Sequence, residues 1–189
     1  MSLTADLAMK EEYYTYEDYC EWETTEGERY ELIDGKVYTM PSPFRVHQEI
    51  SVALTASFYN LLKGKQYKMF HAPFDVRLNA DTKDNTVVQP DLFVVCDKSK
   101  LNGISCVGAP DLVVEIISPS SAGHDRVLKF NKYLQAGVKE YWIIEPEIKA
   151  VSVHILENNR YITYAYGENE TIPVHVLEGC KIDLSEVFA

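Results

Sequence analysis

Apolar positions along this chain recur with two periods, and the switches between them mark out its elements. Between residues 46 and 62, Ile50, Leu54, Phe58 and Leu61 fall on one stripe at helical spacing, which predicts a helix with one buried face. His47 lies on that stripe and Glu49 on the far side. Segments 67–79 and 87–95 read as strands separated by the polar turn ADTKDN. From Leu112 to Ile117 the apolar run is nearly continuous, as in a strand covered on both faces, and Glu115 alone interrupts it. Pro119 with Ser118, Ser120 and Ser121 ends that strand. From about His124 the apolar residues Val127, Phe130 and Leu134 recur at helical spacing until Gly137 supplies a stop. EYWIIEP over 140–146 then returns as a second apolar strand. Strand, helix and strand in this order predict a βαβ crossover whose two strands are parallel near neighbours.

The ends of the chain carry weaker patterns. The first dozen residues read as a frayed lead-in, after which Thr15 caps a short helix over 16–23, with Asp18 where a full capping box has Glu or Gln. ERYELIDGKVYTMPSP alternates and turns at Asp34-Gly35, the signature of a β-hairpin, and Pro41 and Pro43 close it. After residue 146, VSVHIL, RYITYAYG and IPVHVLEG predict an antiparallel finish to the sheet, and KIDLSEVFA reads as an exposed tail. The whole predicts an α/β fold with a mixed central sheet flanked by helices, an N-terminal hairpin and C-terminal antiparallel strands, in a single domain over 1–189.

Side-chain direction narrows the chemistry. Asp111, Val113, Glu115 and Ile117 share one face of their strand, and Asp125, Lys129 and Tyr133 form a polar stripe on the helix that follows. One short turn joins the two, so the stripe is placed near Glu115. Two readings stand side by side: Lys129 neutralises a partly buried Glu115 as a structural ion pair, or the pair is catalytic. Asp91 sits in the strand 87–95 on the face shared by Gln89 and Phe93, directly after Pro90, which is easiest to place where a strand bulges or lacks an inner neighbour. His154 and His175 fall in alternating patterns without companion ligands and read as ordinary strand histidines.

The net charge of −11 changes this picture less than it first suggests. It weighs against nucleic-acid binding, where basic residues contribute much of the affinity. Yet residues 1–31 hold ten acids against Lys10 and Arg29, a balance of −8, so the rest of the chain carries only −3. Local patches are positive: Arg126, Lys129, Lys132 and Lys139 around the helix, and Lys63, Lys65 and Lys68 beyond the earlier one. Four scattered cysteines show no metal or disulfide spacing and suit a reducing cytoplasm. No apolar stretch approaches a membrane span, and no export signal opens the chain.

In this order, RYELIDGKVYTM, His47-Gln48, Gln89-Pro90-Asp91, PDLVVEIISPSS, Asp125 with Lys129 and Tyr133, and AGVKEYWIIEP resemble a bacterial restriction-endonuclease-like family of the PD-(D/E)XK nuclease superfamily. The resemblance implies the corresponding core fold, DNA as partner and Mg²⁺ or Mn²⁺ as cofactor. It implies that Asp91 and Glu115 sit on adjacent strands and hold one metal, and that Lys129 is the catalytic lysine. The superfamily's usual lysine stands two residues after the strand acid, where this chain has Ile117, so Lys129 would be its replacement from the helix. His47, Gln89, Asp111, Asp125 and Tyr133 are candidate neighbours of the site, and Glu49 is a nominal further ligand on the wrong side of its helix. A homodimer would present two sites to the two strands of a duplex. The rival reading is a non-catalytic module on the same fold that binds nucleic acid or protein, and a nucleotide phosphohydrolase is a third.

Overall fold

A computed structural model describes residues 13–22, 29–40, 42–117 and 123–189, with the side chains of residues 124–126 left out. The lead-in of the first dozen residues, the turn read at Ser118–Ser121 and the side chain of Asp125 therefore lie outside the described residues. In chain order come α1 (Tyr16–Glu21), β1 (Arg29–Ile33), β2 (Lys36–Met40), α2 (Arg45–Leu62), β3 (Lys68–His71), β4 (Asp75–Arg77), β5 (Val87–Val88), β6 (Leu92–Val95), β7 (Ser105–Val107) and β8 (Leu112–Ile116). A π-helical turn (His124–Lys129), α3 (Phe130–Ala136), β9 (Glu140–Glu145), β10 (Ala150–Glu157), β11 (Arg160–Gly167), β12 (Thr171–Pro173), β13 (Lys181–Asp183) and α4 (Leu184–Val187) follow.

The central sheet has the order β11-β10-β9-β8-β6-β3, and its β8–β9 pair is parallel, as a βαβ crossover requires. Both faces of β8 are covered, which is why it reads as an apolar run. Leu112, Val114 and Ile116 pack with Ile50, Leu54, Phe58 and Leu62 of α2. Val113 and Ile117 look the other way, towards Tyr133 and the second sheet, where Ile33, Val76 and Val88 close the core. That second sheet, β2-β1-β5-β4-β7, grows from the hairpin at Asp34-Gly35. Both turn residues have positive φ, 52° and 78°, the conformation of a type I′ turn, so the Asp-Gly pair is matched to its backbone. Thr15 caps α1 as the pattern predicts, and Asp18 completes the box by accepting the Thr15 N–H at 2.7 Å.

Several expectations are corrected. The segments 67–79 and 87–95 are not continuous strands: each is cut beside a proline, at Pro73 and Pro90, and changes sheet there, with β3 and β6 in the central sheet and β4 and β5 in the other. Asp91 thus precedes β6 instead of lying mid-strand. The third C-terminal strand does not join the main sheet; β12 pairs with β13 in a two-stranded ribbon. The tail is not exposed, because Ile182, Leu184, Val187 and Phe188 bury themselves in the core cluster that α2 builds. Val127 is 63% exposed, since i to i+5 winding ahead of α3 rotates the expected stripe. Lys129 and Tyr133 take the inward positions instead. Leu62 takes the buried place at the end of α2, with Leu61 partly buried beside it. His154 is buried among Phe130, Tyr141 and Tyr161, whereas His175 is exposed. Among the described residues no helix is long and apolar enough to cross a membrane.

Candidate active site

The chemistry gathers at the C-terminal end of β8. Glu115 points to the α3 side, where its Oε1 accepts the Tyr133 hydroxyl at 2.6 Å and lies 3.0 Å from Lys129 Nζ. Lys129 Nζ is also 2.8 Å from Oε1 of Glu31, a residue of the hairpin strand β1. Only 2% of the Lys129 side chain is exposed. An ammonium buried this far requires compensating charge, and two carboxylates provide it. Burial, followed by the neighbouring Glu115 and Glu31 carboxylates, raises the Tyr133 hydroxyl well above its ordinary range, so it stays protonated and acts as a donor.

Asp91 enters the same end of the sheet from β6. That strand pairs with β8 through Leu92↔Val114, and one further residue along the register sets Asp91 across from Glu115. Its Oδ2 accepts the Ile116 N–H at 2.7 Å, and its Oδ1 stands 3.1 Å from His47 Nε2 on α2. Asp91 is 15% exposed and opens into a cavity of about 370 Å³ that Arg29, Ser42, Gln48, Ser51 and His71 help line. His47 Nδ1 is buried in that wall without a hydrogen-bond partner among the described residues.

Two groups of the predicted residues come together, and the other described ones stand apart from them. Glu115, Lys129 and Tyr133 come together, Asp91 and His47 form a second pair, and the backbone of Ile116 joins the two. Asp111 stands at the opposite end of β8, where its carboxylate accepts the Cys96 N–H and pairs with Lys139, both at 2.7 Å. Burial works against the ionised form there, but the hydrogen bonds from Lys139 and Cys96 hold the Asp111 carboxyl below its ordinary range. Glu49 is exposed and pairs with Arg45, away from the site. Gln89 donates its backbone N–H to Glu31 Oε1 at 2.8 Å, and its side chain donates to Asp75 at 3.0 Å. The positive patch around α3 is largely internalised or paired: Lys129 is inside, Lys132 is held by Asp34, and Lys139 by Asp111.

Residues 16–185 match the Uma2 family, described as putative restriction endonucleases. The chain belongs to this family. Its Uma2 membership is accompanied by likeness to two proteins of Synechocystis sp. (strain ATCC 27184 / PCC 6803 / Kazusa). Uncharacterized protein slr1290 is 30% identical over 139 residues, covering 74% of this chain and 70% of that protein. Uncharacterized protein sll1609 is 26% identical over 163 residues, covering 84% and 90%. The fold matches the crystal structure of a putative nuclease belonging to DUF820 from Anabaena variabilis ATCC 29413, with a TM-score of 0.75 at 19% identity over 93% of this chain and 97% of that one. The architecture is that of a restriction-endonuclease-like fold.

Against this Uma2 background, the donor set fits a hard divalent cation. Asp91 and Glu115 offer carboxylate oxygens, the donor chemistry that such a cation takes. Among the described residues no group of three or more His, Cys, Asp or Glu is arranged to hold a metal. Mg²⁺ needs fewer, since it keeps several waters and takes one or two carboxylates alongside substrate phosphate. Periodicity and motif spacing single out neither Glu31 nor Asp75. The signal for Glu31 was available: it shares a strand face with Ile33, which is buried, so a glutamate there is out of place.

Proposed function

We propose that this protein is a divalent-metal-dependent nuclease that hydrolyses phosphodiester bonds of DNA. The observation that carries the reading is the lysine buried between two carboxylates, with Asp91 bound to the backbone N–H of the residue after Glu115, in a chain of a family described as putative restriction endonucleases. Asp91 and Glu115 would hold the cation. When bound, Mg²⁺ or Mn²⁺ supplies charge neutralisation at the phosphoryl oxygens and a more acidic water. Lys129 presents a fixed positive charge where negative charge develops, a contribution worth about 3 kcal/mol per well-placed donor in other enzymes. Tyr133 and Glu115 orient that ammonium, and the Ile116 N–H holds one oxygen of Asp91 so that the other faces the cavity wall. A two-fold dimer would address both strands of a duplex.

Calorimetry with Mn²⁺ on the wild type and on Asp91→Ala, together with a DNA-cleavage assay with and without Mg²⁺, tests this. The expected result is binding and cleavage in the wild type, with both lost in Asp91→Ala. Wild-type protein that neither binds metal nor cuts DNA would return the non-catalytic binding module.

A further inference from the structure

Lys129 ends a π-helical turn, the irregular piece between β8 and α3. A lysine on the strand two residues from Glu115 would be held by the sheet ladder, but Ile117 fills that position. A long flexible side chain arriving from a wide helical turn needs an anchor outside its own helix. Glu115 supplies one from β8, and Glu31 supplies a second from the opposite sheet. Glu31 Oε1 lies 2.8 Å from Lys129 Nζ and accepts the Gln89 N–H, also at 2.8 Å. Gln89 stands two residues before Asp91 in the chain. One buried carboxylate therefore ties the ammonium to the segment that carries the other acid.

We propose that Glu31 is a positioning residue that fixes Lys129 in register with Asp91 and Glu115. This rests on the nuclease reading for its kinetic consequence, though the anchoring itself is readable without catalysis. Glutamine at position 31 keeps an oxygen that can accept from both Lys129 and Gln89, whereas alanine keeps nothing.

The test uses the full chain and the variants Glu31→Ala and Glu31→Gln. It compares kcat and KM for Mg²⁺-dependent DNA cleavage, Mn²⁺ affinity by calorimetry, and reductive methylation of Lys129 followed by mass spectrometry. Glu31→Ala is expected to lose roughly 30-fold or more in kcat with KM and Mn²⁺ affinity nearly unchanged, the sign of a contact that matters in the transition state. Lys129, protected in the wild type, should become roughly tenfold more reactive once its anchor is gone. Glu31→Gln should recover most of both, with kcat down only about three- to tenfold. Wild-type kcat and unchanged methylation in a folded Glu31→Ala would overturn the proposal, and so would loss of Mn²⁺ binding, which would make Glu31 a ligand. Should the alanine variant fail to fold, Glu31→Gln decides: a lowered melting temperature with wild-type kcat marks a purely structural role. Absence of cleavage by the wild type sinks the nuclease reading alone, and the methylation arm still decides whether Glu31 holds Lys129.

Discussion

Two glutamates are buried at opposite ends of the parallel β8–β9 pair, and their partners differ in kind. Glu140, at the start of β9 across from Leu112, has both oxygens taken by neutral donors, the Trp142 indole and the Val176 N–H, each at 2.8 Å. Burial raises its pKa and those donors only partly offset the rise, so it serves as a brace between β9 and the segment leading to β13. Glu115, near the other end, shares a tyrosine and a lysine that a second carboxylate also holds. Both acids sit in apolar runs, so burial of a carboxylate is not by itself a mark of chemistry. The mark is a partner set of opposite charge facing a second acid at the open end of a sheet.

That contrast breaks first on activity. Glu115→Gln is expected to lower DNA cleavage by roughly a thousandfold, the scale of losing a dominant electrostatic contact, while Glu140→Gln leaves the rate per folded molecule within about twofold. Single-turnover kinetics on both variants reads the difference, and equal losses would end the distinction. Lys129→Ala comes next. Removing the cation between two buried carboxylates should cost about 3–5 kcal/mol in urea unfolding and also abolish cleavage, with Mn²⁺ binding retained. A destabilised variant that still cut DNA at the wild-type rate would assign the catalytic lysine elsewhere.

His154 extends the comparison to a base that the core keeps neutral. Burial lowers it from 6.5 to about 4. The unfolded chain therefore binds a proton below pH 6.5 that the folded chain refuses, so this contribution is full above pH 6.5 and drains away as the pH falls towards 4. The loss is on the order of 2 kcal/mol after solvent screening, and it should vanish from the pH profile of the melting temperature in His154→Phe. On the Glu140 side, Glu140→Ala leaves the Trp142 and Val176 donors unpaired inside the core, at a cost of about 1–3 kcal/mol measurable by denaturant titration. The smallest effect belongs to Lys132→Ala. Its pair with Asp34 is short but half of Asp34 faces solvent, so less than about 1 kcal/mol should be lost.

What the sequence made legible followed from periodicity and turn chemistry. The α2 stripe, the Asp34-Gly35 hairpin, the βαβ unit and the meeting of Glu115 with Lys129 and Tyr133 all come from local spacing that tertiary packing then respects. The division into two sheets was hidden, because Pro73 and Pro90 signal a break but not which neighbours the chain finds on either side. The tail was misread because its burial depends on a surface that α2 supplies from far upstream. Val127 failed for a different reason: regular helical phase does not survive a π turn. Glu31 was overlooked although it shares a face with Ile33, because both faces of the end of β1 are buried and the strand does not alternate cleanly between core and solvent.

The ties that close this corner of the molecule run across long loops of chain: Asp34 to Lys132 spans 98 residues and Glu31 to Gln89 spans 58. Contacts of such sequence separation form late, after loop-closure entropy has been overcome. A chain still emerging from the ribosome, or one trapped half-folded, keeps Glu31 and Asp91 apart from the local Glu115–Lys129 pair. The proposed hydrolytic centre would be armed only in the finished molecule, and local unfolding of the hairpin alone would be enough to disarm it.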